Sequence, residues 1–288
     1  MSLSTSLPED LPWSEQQAFL LLDGTTFSDL PQRLKQLSPG ASTVALYDCP
    51  SFTALRDISP LLVAVQQPDE PLVQFYLEHA HEESSVLLFS RDSAHAVAEH
   101  LRKLLTVELP EGMPVLLRLA DAAVARILFG SGDQRLFGPL SCVVTADGVE
   151  VNWQQHQPRL AECPELLMPY RLSAEQNSAF DRADWRRVLL ELDVHLLTHF
   201  PERHGSETVA ERWPMLEQLE AEASTLGLSS QSELFYYANV IASLDGSPLD
   251  QHPHINRLLH TPSLQSPGER VALAADLAHQ WASQRGHP

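Results

Sequence analysis

The chain has 288 residues, 43% of them hydrophobic, and a formal net charge of −19. That length has room for two domains, or one large one, with a substantial core, and the apolar content excludes a disordered protein. A surface this acidic repels phosphate backbones, which argues against nucleic-acid binding; it either serves solubility alone or favours a basic or neutral partner.

Residues 1–16 are polar and punctuated by proline, and they read as a flexible arm. They have neither the basic start nor the apolar stretch of a secretory signal. Ala18 to Leu22 is a buried-strand pattern ending at the turn pair Asp23-Gly24. Phe27, Leu30, Leu34 and Leu37 predict a helix stopped by Pro39-Gly40. Thr43–Tyr47 is a second strand, followed by a helical turn through Leu55, and Leu61–Val65 is a third strand. Asp69–His79 predicts a helix with Leu72, Val73, Tyr76 and Leu77 inward.

Val86–Phe89 is the next strand. Asp92 or Ser93 then caps a helix whose apolar face is Ala94, Val97, Leu101, Leu104 and Leu105. Thr106–Leu109 and Val115–Leu119 form a hairpin around Pro110-Glu111-Gly112, and this makes the expected sheet mixed. A helix over Ala122–Phe129 follows, then a corner at Phe137-Gly138-Pro139 and a hairpin turning at Asp147-Gly148.

From Ser173 onward the pattern is helical only. Ser173 with Gln176, Ser230 with Glu233 and Ser266 with Glu269 are capping boxes. Trp185, Leu189, Leu192, Leu196 and Phe200 lie on one helix face, and a second helix is expected over about 207–226, with Ser206 as an N-cap. The fold class is therefore an α/β (mixed-sheet) N-terminal lobe plus an all-α helical C-terminal lobe. The boundaries are 1–16 for the arm, 17–155 for the α/β lobe, 156–172 for a Pro-rich linker and 173–288 for the helical lobe.

Residues of catalytic type occur without catalytic spacing. His195 and His199 share a helix face, but Leu196 stands where a zinc protease needs its glutamate. His79 with His81 and His252 with His254 have no cysteine or clustered carboxylate nearby. There is no GxSxG, no SxxK pair on Lys35 or Lys103, and no glycine-rich phosphate loop. Cys49, Cys142 and Cys163 are odd in number and form no CxxC, so neither a disulfide framework nor a cysteine zinc site is expected. Free cysteines fit a reducing cytoplasm. No apolar run approaches the roughly 18 residues of a membrane helix. The expectation is a soluble cytoplasmic protein that is not an enzyme and has no metal or cofactor. Arg118 and Asp121, embedded in the apolar VLLRLAD, read either as an ion pair closing the hairpin or as a pair that holds a partner.

The same segments resemble the type VI secretion effector chaperone or adaptor family (Tap/TEC type), first catalogued as a domain of unknown function. The matching segments are AFLLLDGT (Ala18–Thr25), ALYDC (Ala45–Cys49), SPLLVAV (Ser59–Val65), VLLFSR (Val86–Arg91), EHLRKLLTVELPEGMPVLLRLAD (Glu99–Asp121) and LFGPL (Leu136–Leu140). HLLTHFPE (His195–Glu202) and LGLSSQSELFYYANV (Leu226–Val240) are similar in kind. Family members often carry FRFYDP where this chain has Leu117–Ala122, so the Arg and Asp are kept and the aromatics are lost.

The resemblance implies a non-enzymatic protein that binds a toxic effector in the producing cell, loads it on a VgrG or PAAR spike and is not itself secreted. The effector is expected from a neighbouring gene. Candidates for partner contact are Arg102, Arg118, Asp121, Phe137, Trp185, Tyr236 and Tyr237. The alternatives are a toxin-neutralising immunity or regulatory protein, and a hydrolase using one cysteine or a histidine-metal site.

Overall fold

The computed structural model describes residues 7–27, 29–160, 162–204 and 208–285, apart from the side chains of residues 203, 204 and 285. The outer part of the expected arm, the expected N-cap Ser206 and the predicted helix start at residue 207 lie outside the described residues. The chain divides into two compact units at Ala183/Asp184.

The first unit is built on a six-stranded sheet. Its strands are β1 (Gln17–Leu22), β2 (Thr43–Ala45), β3 (Leu61–Val65), β4 (Ser85–Ser90), β7 (Leu140–Asp147) and β8 (Asn152–His156), in the order β2-β3-β1-β4-β7-β8. Every pairing in this sheet is antiparallel. The α/β layering is as expected, but the mixed pairing is not. β5 (Thr106–Glu108) and β6 (Pro114–Leu116) form the predicted hairpin as a separate two-stranded sheet.

Both faces of the six-stranded sheet are covered. Phe19 and Leu21 of β1 point into one core with α3 (Ala94–Leu105) and α4 (Ala122–Gly130). Ala18, Leu20 and Leu22 point into another core, shared with α1 (Leu30–Leu37) and α2 (Pro71–Glu78). Two-sided burial is why the strands read as unbroken apolar runs rather than as alternation. α3 starts where Ser93 Oγ accepts the Ala96 amide, and β4 carries a register shift at Phe89/Ser90.

Of the expected arm, residues 7–16 are described. Leu11 is buried in the second core, and Trp13 meets the Phe89 ring edge-on at 5.2 Å. The Pro-rich stretch also packs onto this unit. Leu166, Tyr170 and Leu172 are buried in its core, and Glu108 exchanges backbone hydrogen bonds with Tyr170 and Leu172, both at 2.8 Å.

α5 (Ala174–His199) starts on the Ser173–Gln176 capping box, with reciprocal bonds of 2.9 and 3.1 Å, and crosses the division between the units. The second unit continues with α6 (Pro201–His204), α7 (Val209–Thr225), α8 (Gln231–Leu244), α9 (Pro253–His260) and α10 (Pro267–Arg285). Leu192, Leu196, Leu216, Val240, Val271 and Ala274 make its core. α9 was not predicted. Arg270 of α10 donates to the Leu258 and Thr261 carbonyls, occupying acceptors at the end of that short helix.

Candidate partner-binding surface

Within the first unit, the charged residues of the family-like segments hold the scaffold together. Asp23 follows β1 and is almost fully buried. Its Oδ1 accepts from the Thr25 amide at 2.7 Å and from Thr25 Oγ1 at 2.6 Å, and its Oδ2 accepts from Arg118 Nη2 at 2.8 Å. Arg118 Nη2 also donates to Thr25 Oγ1 at 3.0 Å. Burial works to raise the Asp23 pKa, but the bonds from Thr25 and Arg118 outweigh it and hold the carboxyl below its ordinary value. Gly24 is needed for space, because an added Cβ would collide with the Ser59 carbonyl oxygen and lie 2.9 Å from the Ile58 carbonyl carbon.

Arg118 and Asp121 read from sequence either as a hairpin-closing pair or as a pair that holds a partner, and the structure gives each a further role. Arg118 reaches back to Asp23, and Asp121 caps α4, its Oδ1 accepting from the Ala123 and Val124 amides at 2.9 and 3.3 Å. Capping is the common task of an aspartate at a helix start.

A second buried cluster joins the turn before β4, the helix α4 and the end of β7. Glu83 accepts from the Gly148 amide at 2.8 Å and from Arg126 Nη2 at 2.9 Å, and Arg126 Nη2 lies 3.5 Å from Asp147 Oδ2. Arg126 also donates to the Ala146 carbonyl. Arg102, in the last turn of α3, donates to the Leu46 and Ala45 carbonyls at 3.0 and 2.8 Å. The LFGPL corner closes over His100, whose Nε2 donates to the Leu136 carbonyl at 2.7 Å. Gly138 has φ 50° and lies so close to that imidazole that a Cβ would collide with it. Asp23 was read from sequence only as a turn residue, and Arg126 and His100 were not singled out; their partners are too distant along the chain to leave a local signal.

Within each unit the expected contact residues differ in exposure. Arg102 is mostly covered, while Arg118 keeps a face in solvent. Phe137 is buried and its ring lies 5.3 Å from that of Phe129. In the second unit, Trp185 is half-buried against the helical core. Tyr236 is 43% exposed, whereas its neighbour Tyr237 is buried and donates to Glu222 at 2.8 Å. Phe137 and Tyr237 thus serve packing in this fold and offer no outward face. Val194, Leu273 and Leu277 are the other exposed apolar side chains on the long helices, and Met113, Leu116, Leu167 and Met168 are exposed on the first unit.

The histidines and cysteines sit in local roles. His195 Nε2 donates to Asn239 Oδ1 at 2.7 Å and stacks near His199 and Phe235. His252 bonds Ser247 and meets the Trp281 ring edge-on. Burial pushes the Cys142 thiol up to about 11, and Cys163 is raised for the same reason. Among the described residues no group of three or more His, Cys, Asp or Glu is placed to hold a metal ion. No described helix is long and apolar enough to cross a membrane.

Two comparisons bear on this arrangement. The model of a domain of unknown function, DUF4123, matches residues 18–135. The chain is similar to "Accessory protein VasW" of Vibrio cholerae serotype O1 (strain ATCC 39315 / El Tor Inaba N16961), at 30% identity over 95% of this chain and 92% of the relative. No solved structure matches.

Proposed function

This chain belongs to the DUF4123 family, the type VI secretion effector chaperone and adaptor family, and on that premise we propose that it is a non-enzymatic chaperone-adaptor. Its broad role is that of a type VI secretion accessory protein. More specifically, it binds a toxic effector inside the producing cell and hands it to a VgrG or PAAR spike protein. The observation that carries this reading is the use to which the family-like segments put their charged residues. Asp23, Arg102, Arg118 and Asp121 are all engaged in internal bonds that hold turns, helix starts and strand ends in place, which suits a rigid frame that presents a surface. The acidic excess suits a basic or aggregation-prone partner segment.

The test is reconstitution with purified full-length chain and the product of the adjacent effector gene. The expected result is a stable complex that then accepts VgrG or PAAR. Failure to form a complex with any of them contradicts the proposal. Rescue of an intoxicated target cell by this protein, with no effect on delivery from the attacker, would indicate an immunity protein instead.

A further inference from the structure

The second unit contains a groove of about 290 Å³ among α5, α7 and α8. Its apolar lining includes Leu196, Met215, Ile241, Ala238 and Ala242. Ala238 and Ala242 lie one turn apart on α8, where larger side chains would take up room. Met215 and Glu222 lie two turns apart on α7, so one stripe of that helix faces the opening. Methionine at such a surface adapts its shape to an incoming side chain.

Among the described residues, Glu222 is the one charged residue lining the groove. One of its oxygens accepts from Gln218 Nε2 at 2.8 Å and the other from Tyr237 Oη at 2.8 Å. Both donors are neutral, and burial holds the Tyr237 phenol protonated so that it remains a donor. The carboxylate is therefore fixed in place by two neutral donors. α7 also carries Glu211, Glu217 and Glu220, while its arginine, Arg212, is turned inward in a buried pair with Asp193 at 2.6 Å. An apolar slot with a fixed acid at its edge matches an amphipathic helix with apolar anchors and basic flanks. A second copy of this chain, at net charge −19, is disfavoured by like-charge repulsion.

We propose that this groove docks an amphipathic basic helix of the partner, seating an apolar anchor over Ala238 and Ala242 and a Lys or Arg against Glu222. The identification of that partner as the effector rests on the chaperone reading; the groove chemistry does not.

The probe is a labelled synthetic amphipathic helical peptide with leucines on one face and lysines on the other. Its control has glutamate in place of lysine. The full chain is expected to bind the lysine peptide at least about tenfold more tightly, with the gap closing at high salt. Glu222→Gln keeps an acceptor for Tyr237 and is expected to weaken the lysine peptide about fivefold to tenfold. Ala238→Phe fills the slot and is expected to abolish binding, and Glu222→Gln decides the matter if that variant does not fold. Absent binding, equal affinity for both peptides, or affinity unmoved by the substitutions overturns the inference. In a parallel pull-down, wild type and both variants holding the effector equally would remove the groove and leave the chaperone reading standing. A wild type that holds no effector removes the chaperone reading, and the peptide experiment then decides the groove by itself.

Discussion

Arg118 donates to the Asp23 carboxylate at 2.8 Å across a separation of 95 residues, tying the end of β1 to the stretch after β6. The carboxylate is the buried partner, with 4% of its side chain exposed against 42% for the arginine. Removing the guanidinium leaves a desolvated acceptor short of a donor. Arg118→Ala is expected to lower stability by about 1–3 kcal/mol, read as a shifted urea midpoint, while the folded variant binds effector normally. An unchanged midpoint with lost effector binding would place Arg118 on the partner surface.

Arg126 stands between two carboxylates, Glu83 and Asp147, and all three are nearly buried. Arg126→Met keeps the length and removes the charge. Breaking a buried charge cluster from one side costs about 3–5 kcal/mol. The variant is therefore expected to be destabilised more than Arg118→Ala, by thermal or urea unfolding. Glu83→Gln, which retains an acceptor for the Gly148 amide, is expected to cost less than Arg126→Met.

Gly24 packs against the Ile58–Ser59 backbone with no room for a methyl group. Backbone cannot step aside as a flexible side chain does. Gly24→Ala is expected to cost about 1–3 kcal/mol. Gly40→Ala, where nothing lies within 4 Å of the added carbon, carries only the cost of its left-handed backbone and serves as the control.

Two groups give opposite ends of an acid profile. Burial holds the pKa of His100 below its ordinary 6.5, so below that pH the unfolded chain takes up protons that the folded one refuses. Its contribution is present at neutral pH and lost as pH falls from 6.5. Asp23, held below its ordinary 3.8, contributes above that value and loses its contribution as pH falls further. The stability gap between wild type and His100→Gln is expected to shrink between pH 7.5 and 5.5, whereas the gap to Asp23→Asn stays level over that range. A constant His100 gap would contradict the buried neutral imidazole.

Local signals were readable because their physics is local. The Ser173, Ser230 and Ser266 capping boxes all form, each closed by its own Gln or Glu three residues on. Strand positions were readable from apolar runs, but strand direction was not. Such runs report burial on both faces, and here an antiparallel sheet is covered on both. α9 spans only eight residues, Pro253–His260, and its Ile255 and Leu259 give a single repeat of the helical spacing. The start of α4 at Ala122 was readable, yet Asp121 just before it was read as paired with Arg118 and not as the helix cap. Phe137 and Tyr237 show that an aromatic side chain in sequence does not declare whether it faces solvent or core. Asp23–Arg118 and Glu83–Arg126 had no sequence signature, because each pair is joined only by the fold.

The most direct test of the chaperone-adaptor account is the amount of soluble, spike-bound effector in producing cells with and without this protein. The account predicts that deletion lowers both soluble effector and its recovery on VgrG or PAAR, and that the full chain restores both. Equal solubility and equal loading in the deletion strain would contradict it.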